Sequence, residues 1–179
     1  MNMQVIQLGP TLKCEDQIGL CNQFSSKDIK DALFSIPSIK SPGPDRFNSG
    51  FFKAAWGTIG PLVCSTIQEF FHTRVMPSYI SATKLIVLPK VPNLQSATNF
   101  KPISYYNTIY KSITKLLSQM IKTILPHLID PSQGAFIKGR ELLYNVLICQ
   151  DIARGYQRKG ISLRCILIIN LKKAFNSVH

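Results

Sequence analysis

The chain has 179 residues, 45% of them hydrophobic, which is enough for one domain with a core and excludes global disorder. Its formal charge of +12 is uneven: residues 1–90 hold nine basic and six acidic side chains, and residues 91–179 hold twelve and three. This balance favours a polyanionic partner, with nucleic acid ahead of an anionic membrane, although a merely soluble basic surface gives the same composition.

The five cysteines argue against a zinc site and against a disulfide framework. Their number is odd, no C-x-x-C pair occurs, and the three histidines lie far from them in sequence. The N-terminus has no signal-peptide pattern, and no run approaches the roughly 18–20 apolar residues that span a bilayer. We therefore expect a soluble intracellular protein, nuclear or cytoplasmic, that makes no membrane contact. Residues 1–24 show weak periodicity and are expected to form a loosely ordered lead-in.

The first clear element is a helix that begins after Ser25. Asp28 follows three residues later, which predicts a capping box. Ile29, Leu33 and Ile36 then fall on one face, as in an amphipathic helix. A core-facing helix is therefore predicted from this point, ending before Pro37.

A turn and two helices are predicted next. The stretch SIKSPGPDRF, residues 38–47, is rich in proline and glycine and predicts a turn. A short helix is expected over residues 51–56, and a longer one begins at Gly60-Pro61, with proline in its first turn. The predicted buried stripe of the longer helix is Leu62, Val63, Thr66, Ile67, Phe70 and Phe71.

The second half alternates helices with two strands. The apolar residues of its clearest helix recur at helical spacing at Ile109, Ile113, Leu116, Leu117, Met120, Ile121 and Ile124, and Pro126 ends or kinks it. The other predicted elements are a strand over 84–90, a polar loop over 91–100, a loop over 132–141, a helix over 142–153, a basic turn over 154–160 and a strand over 163–171.

Six blocks, in this order, resemble LINE-type (non-LTR) retrotransposon reverse transcriptases of the plant kind. They read FSSKDIKDALFSIPSIKSPGPD, FFKAAWGTIGPLV, IVLPKVPN, NFKPISYYNTIYKSITKLLSQMIK, SQGAFIKGR and INLKKAFNSVH. Each block alone is an ordinary turn, strand or helix, and the common order is what carries the resemblance. It runs from about Phe24 to the last residue.

The resemblance implies an RNA-directed DNA polymerase with a right-hand fold. The expected fold class is α+β: a mostly helical fingers subdomain with the first palm strand, truncated. Residues 25–160 correspond to the fingers, and residues 161–179 to the start of the palm with its first catalytic motif in degenerate form.

The resemblance also implies a nucleotide site and a nucleic-acid contact. Its I-P-K and R-P-I blocks supply cations to the triphosphate of the incoming nucleotide, and these positions are Lys90 and Lys101. The family usually has arginine where Lys101 stands, and glycine where Arg46 stands. The family's Q-x-x-F-x-x-G-R block marks candidate contacts to substrate or template at Gln133, Phe136 and Arg140.

The family's first palm motif is altered at both of its aspartates. Its first Asp binds the catalytic metals, normally two Mg²⁺ ions about 3.5–4 Å apart. Asn170 stands at that position and Asn176 at the second one, and no Asp or Glu occurs from Ile152 to His179. The family's other metal-binding carboxylates belong to a later Asp-Asp hairpin that the chain does not reach. We therefore expect no intact catalytic residue and no bound cofactor.

Three functions are compatible with these observations. The first is an inactive, truncated reverse transcriptase domain of a LINE-type retroelement. The second is an active enzyme that finds its carboxylates elsewhere, which the missing carboxylates argue against. The third is a non-enzymatic basic module that binds RNA or DNA weakly and without sequence preference. The sequence favours the first, and it does not indicate an oligomeric state.

Overall fold

The computed structural model describes residues 11–92, 96–135, 137–154 and 167. The chain divides into two compact units, Met1–Ile129 and Asp130–His179. Within the described residues, none of the helices combines the length and the apolar character that a bilayer-spanning segment requires.

Helices form most of the first unit. Its elements in chain order are α1 (Cys14–Leu20), α2 (Ser26–Phe34), α3 (Ser49–Ala54), α4 (Trp56–Thr73), α5 (Ser78–Ser81), β1 (Thr83–Pro89), a 3₁₀ turn (Ala97–Asn99), β2 (Phe100–Tyr106) and α6 (Thr108–Leu128). The second unit contains α7 (Leu142–Arg154).

Helix α1 lies in the segment for which the sequence predicts little order. None of its residues is buried. Glu15 and Asp16 occupy its first turn, where acidic side chains interact favourably with the exposed N–H groups. Asp16 also lies 3.5 Å from the ring of His127 at the end of α6. The weak apolar periodicity of this segment therefore reflects a surface helix held mainly by local and polar contacts.

The capping box predicted at the start of α2 is confirmed. The Ser25 N–H donates to the Asp28 carboxylate at 2.9 Å, and the Asp28 N–H donates to the Ser25 hydroxyl at 3.2 Å. Each residue thus satisfies a backbone donor that the first turn of a helix leaves unpaired. The predicted apolar face is confirmed as well, because Ile29, Leu33 and Ile36 are all buried.

Helix α4 begins at Trp56, so the predicted start at Gly60-Pro61 is wrong. Pro61 lies inside the helix, in its second turn, and lacks the N–H that would reach the Gly57 carbonyl. Because Gly57 is exposed, water can satisfy that carbonyl. The predicted stripe is confirmed at Val63 and Ile67, but it is wrong at Leu62, which is 68% exposed.

The predicted strand is confirmed as β1, and it pairs antiparallel with β2. Its partner β2 was not predicted. The register pairs Ile86 with Ile103 and Leu88 with Lys101. The Lys90 N–H donates to the Asn99 carbonyl just beyond the end of β1. In an antiparallel ladder hydrogen-bonded pairs alternate with pairs that share no hydrogen bond, so the even-numbered residues of β1 form the hydrogen-bonded pairs and the odd-numbered residues form the others. Pro102 lies in one of those pairs, so it costs the ladder no hydrogen bond.

The core of the first unit lies between α2, α4 and α6, with contributions from α3 and α5. Its apolar members come from every one of these helices, so no pair of helices forms a separate core. The buried cluster consists of Ile29, Ala32, Leu33, Phe52, Val63, Cys64, Ile67, Ile80, Ile113 and Leu116. Helix α6 continues past Pro126 to Leu128, so Pro126 does not end it, which was one of the two predicted outcomes.

In the second unit the predicted helix over 142–153 is confirmed as α7. None of its residues is buried, and Leu143, Leu147 and Ile148 are all more than two fifths exposed. The predicted strand over 163–171 and the start of the palm lie outside the described residues, except for Leu167, which belongs to no helix or strand.

Replacing Ser25 with alanine removes the hydroxyl that accepts from the Asp28 N–H and donates to the Asp28 carboxylate, while the bond from the Ser25 N–H remains. We expect the free energy of unfolding to fall by about 1 kcal/mol. The matched control is Ser26→Ala at the adjacent exposed position, which should change stability by less than about 0.5 kcal/mol. Chemical denaturation of the three proteins at neutral pH measures both values.

The same pair of proteins predicts a pH dependence. Hydrogen bonds from Ser25 hold the pKa of the Asp28 carboxyl below its usual range. The stabilisation is therefore complete above the ordinary aspartate pKa and is lost as the pH falls through the lowered folded-state pKa. The deficit of Ser25→Ala relative to the native chain should shrink in strong acid. A deficit that stays constant with pH would contradict this origin.

Candidate nucleotide and nucleic-acid site

The β1–β2 hairpin places the two predicted nucleotide-binding lysines on one face. Lys101 lies opposite Leu88, and residues opposite each other in a pair of strands project to the same side. Lys90 is two positions beyond Leu88, and its N–H bond to the Asn99 carbonyl continues the register. Both side chains are exposed. The two cations, eleven positions apart in sequence, are thus diagonal neighbours.

The rest of this face is apolar in the middle and carries a third lysine at the other end. Ile86 and Ile103 are opposite each other, half-buried, and occupy the middle of the face. Lys84 lies beyond them at the other end, opposite Tyr105. Exposed ammonium groups therefore project from both ends of a face whose middle is apolar and half-buried.

The segment that contains the hairpin carries basic side chains but no acidic ones. No Asp or Glu occurs between Glu69 and Asp130, whereas seven lysines and arginines do. Within this segment His127 forms an ion pair with Asp16. An anion that approaches the hairpin face therefore meets positive charge that this segment does not neutralise.

The turn SPGPD is held against the junction of β2 and α6. The side-chain oxygen of Asn107 accepts from the Asp45 N–H at 3.3 Å, and its amide N–H donates to the Tyr79 carbonyl at 2.7 Å. Gly43 passes so close that a Cβ there would lie 2.2 Å from the Asn107 oxygen. Any other residue at position 43 would push the turn away, so glycine is required there for space.

Two further bonds from α6 reach this loop. The Lys111 ammonium donates to the Ser41 carbonyl at 2.7 Å, and the Thr108 hydroxyl donates to the Phe47 carbonyl at 2.9 Å. Partial burial lowers the pKa of Lys111, and the nearby charge of Lys40 lowers it further. The Asp45 carboxylate of the same loop raises the pKa of Lys111, so the loop brings charges of both signs to the end of α6 nearest the hairpin.

Arg46 occupies a conformation that suits glycine. Its φ is +65°, in the left-handed region, and its N–H donates to the Gly43 carbonyl at 3.1 Å. The left-handed region is costly for residues with a Cβ and nearly free for glycine. The resemblance implies glycine at this position, and the backbone has kept the conformation that glycine would favour.

The candidate contacts Gln133 and Arg140 meet in the second unit. The Arg140 guanidinium donates to the backbone carbonyls of Asp130 at 2.6 Å and Gln133 at 3.0 Å. Gly139 beside it has a φ of +83°, a conformation that L side chains rarely adopt. Arg140 therefore holds its own loop together, a role that sequence reasoning missed. Phe136 lies outside the described residues.

The altered palm positions, Asn170 and Asn176, also lie outside the described residues. Their assignment to the metal-binding positions of a palm therefore stays a prediction from the resemblance. In the described part of the chain, no three His, Cys, Asp or Glu side chains come close enough to share a metal ion. The donor set offered by the palm motif does not fit Mg²⁺, which takes anionic carboxylates, because both positions carry neutral amides.

The chain is similar in sequence to two proteins of transposable elements. It is 32% identical over 151 residues to the transposon TX1 uncharacterized 149 kDa protein of Xenopus laevis, covering 84% of this chain and 12% of that protein. It is 26% identical over 162 residues to the retrovirus-related Pol polyprotein from type-1 retrotransposable element R2 of Bradysia coprophila, covering 89% of this chain and 18% of that protein. No family model matches the chain.

These relatives support the non-LTR retroelement part of the resemblance. The aligned segments include most of the chain, so the similarity is not confined to one motif. The chain spans less than a fifth of the length of either relative.

Arg46→Gly should raise the free energy of unfolding by about 1 kcal/mol, because glycine removes the steric cost of the left-handed backbone. Arg46→Ala is the control: it removes the same charge but keeps a Cβ, so it should not stabilise the chain. Denaturant titration of both variants measures the difference. Equal stability of the glycine and alanine variants would show that the conformation carries no strain.

Proposed function

We propose that the chain is the fingers part and the start of the palm of a retroelement reverse transcriptase, an RNA-directed DNA polymerase, and that it is inactive by itself. The observation that carries this proposal is the hairpin face: Lys90 and Lys101 project from it together, in a chain homologous to a Pol polyprotein. The α+β arrangement of helices around one antiparallel hairpin is compatible with such a fingers subdomain.

The geometry of the hairpin suits a triphosphate. Diagonal neighbours on a sheet lie about 7–8 Å apart, and a lysine side chain is long enough for both ammonium groups to meet one triphosphate. Fixed cations stabilise the charge that builds up during phosphoryl transfer. Lys101, where the family usually has arginine, keeps the charge but lacks the planar fork that binds two oxygens at once. We therefore infer a weakened nucleotide contact at this position.

The chemistry of the palm motif accounts for the inactivity. A polymerase uses carboxylates to hold the metal ions that activate the attacking hydroxyl and stabilise the leaving oxygen. Asn170 and Asn176 offer amide groups, which carry no charge and do not titrate. The residues retained in the hairpin would thus bind a nucleotide that the residues of the palm motif cannot process.

A primer-extension assay tests the inactivity. With an RNA template and Mg²⁺ or Mn²⁺, the purified 179-residue chain should give no product. Asn170→Asp alone should not restore activity, because the family also uses an Asp-Asp pair, and no such pair occurs in these 179 residues. Template-dependent extension by either protein would overturn this part of the proposal.

Binding of a fluorescent nucleoside triphosphate, followed by anisotropy at low salt, tests the nucleotide site. Lys90→Gln and Lys101→Gln should each weaken binding about tenfold, which is the loss of one charge-assisted contact of roughly 1.4 kcal/mol. Lys101→Arg should bind at least as well as the native chain. Lys115→Gln, at an exposed position of α6, is the matched control and should leave the affinity unchanged.

The alternative function is a non-enzymatic module that binds RNA or DNA through its basic charge, and the net charge of +12 favours it. Its binding should be indifferent to sequence and should weaken steeply as salt rises. If oligonucleotides bind while triphosphate binding is absent, or is insensitive to Lys90→Gln and Lys101→Gln, the alternative is the better description.

A further inference from the structure

A second group of aromatic and basic side chains lies on α2, α3 and the start of α4, separate in sequence from the hairpin. The Phe34 ring is its centre. The ammonium groups of Lys30 and Lys53 lie 5.5 and 6.0 Å from the Phe34 ring centroid, within the range of a cation–π contact. The Trp56 ring meets Phe34 edge to face, with centroids 5.5 Å apart. These four residues are called the Phe34 cluster below.

A surface cavity of about 510 Å³ opens beside the Phe34 cluster. Its lining includes the indole of Trp56, the side chains of Lys27 and Lys30, and Gly60 of α4. A Cβ at Gly60 would lie 2.9–3.1 Å from three atoms of the indole. The ring therefore packs directly on the helix backbone, and this contact fixes its orientation at the edge of the cavity.

The cations at this cavity are available to a ligand. Lys27 and Lys30 are exposed, and in the described part of the chain neither forms an ion pair. Asp28, next to Lys27, is hydrogen-bonded to Ser25 within the capping box. Asp31 is the other carboxylate on α2, and neither Asp28 nor Asp31 lines the cavity, whereas Lys27 and Lys30 do.

Lys53 has a different role in the cluster. Its ammonium donates to the Ile36 carbonyl at 2.6 Å and to the Ser38 hydroxyl at 3.3 Å. These bonds hold its charge near the Phe34 ring. Lys53 does not line the cavity, which combines the Trp56 indole with the two exposed lysines Lys27 and Lys30.

We propose that this cavity binds single-stranded nucleic acid, with one base against Trp56 and the adjacent phosphates on Lys27 and Lys30. Stacking of bases on aromatic rings, together with lysines along the backbone, is the general mode of sequence-independent single-strand binding. The inference rests on the nucleic-acid part of the proposed function and adds a contact that the resemblance does not assign. The expected ligand is a single-stranded oligonucleotide, because the site needs one base and the phosphates on either side of it.

The chain offers a direct probe because Trp56 is its single tryptophan. Titration with an oligothymidylate of about ten nucleotides, at low salt, should quench the intrinsic fluorescence in a saturable manner. Lys27→Gln/Lys30→Gln should weaken this binding about tenfold. It should also reduce the slope of log affinity against log salt by about 1.4, since each single-strand phosphate contact contributes about 0.7. Because both positions are exposed, the variant should fold normally, and circular dichroism checks this.

The control variant is Lys90→Gln/Lys101→Gln on the hairpin, which should leave the Trp56 quenching intact. Inorganic polyphosphate is the control ligand and should not reproduce the quenching, because it has charge without bases. If a labelled oligonucleotide binds while Trp56 fluorescence stays constant, or if polyphosphate quenches equally, this inference is wrong while the proposed function stands. If triphosphate binding at the hairpin fails but the quenching persists, the nucleotide site of the proposed function is wrong while this inference stands.

Discussion

The side chain of Asn107 joins three segments that are distant in sequence. It lies at the junction of β2 and α6, it is 5% exposed, and its amide group bonds both the SPGPD turn and the segment after α4. A residue at the start of a helix commonly caps that helix with its side chain, but Asn107 makes no such bond. A buried amide must be paired at both its oxygen and its nitrogen, so the positions of these segments are coupled. This side chain therefore ties the start of α6 to the SPGPD turn and to α5, which directly precedes β1.

Local signals in the sequence were sufficient for several elements. The capping box at Ser25, the apolar face of α2 and the long amphipathic helix α6 depend on spacings of three and four residues, which a single segment contains in full. Strand β1 was visible as a short aliphatic run. The hairpin lysines were singled out by resemblance, and their common face followed only when the register was known.

Other features depend on contacts that no local pattern contains. Strand β2 was missed because its Pro102 and polar neighbours are typical of a loop, and only the pairing with β1 makes the proline harmless. The bonds of Asn107 connect residues 62 and 28 positions apart. Arg140 was singled out by the resemblance alone, and its bonds to two carbonyls of its own loop could not be read from the sequence. The start of α4 was misplaced because proline is tolerated inside a helix when the carbonyl it leaves unpaired meets solvent.

Each edge of the hairpin contains one proline at a position where the backbone nitrogen points outward. Pro89 and Pro102 both occupy pairs whose backbone nitrogens point away from the partner strand. Each outer edge of the hairpin therefore lacks a donor at its proline, in the position where a further strand would need one. Edge-to-edge addition of another chain is disfavoured on both sides, in spite of the exposed aliphatic residues of β1. Self-association of this protein by pairing of strand edges is thus opposed by two residues that carry no charge and take no part in the candidate site.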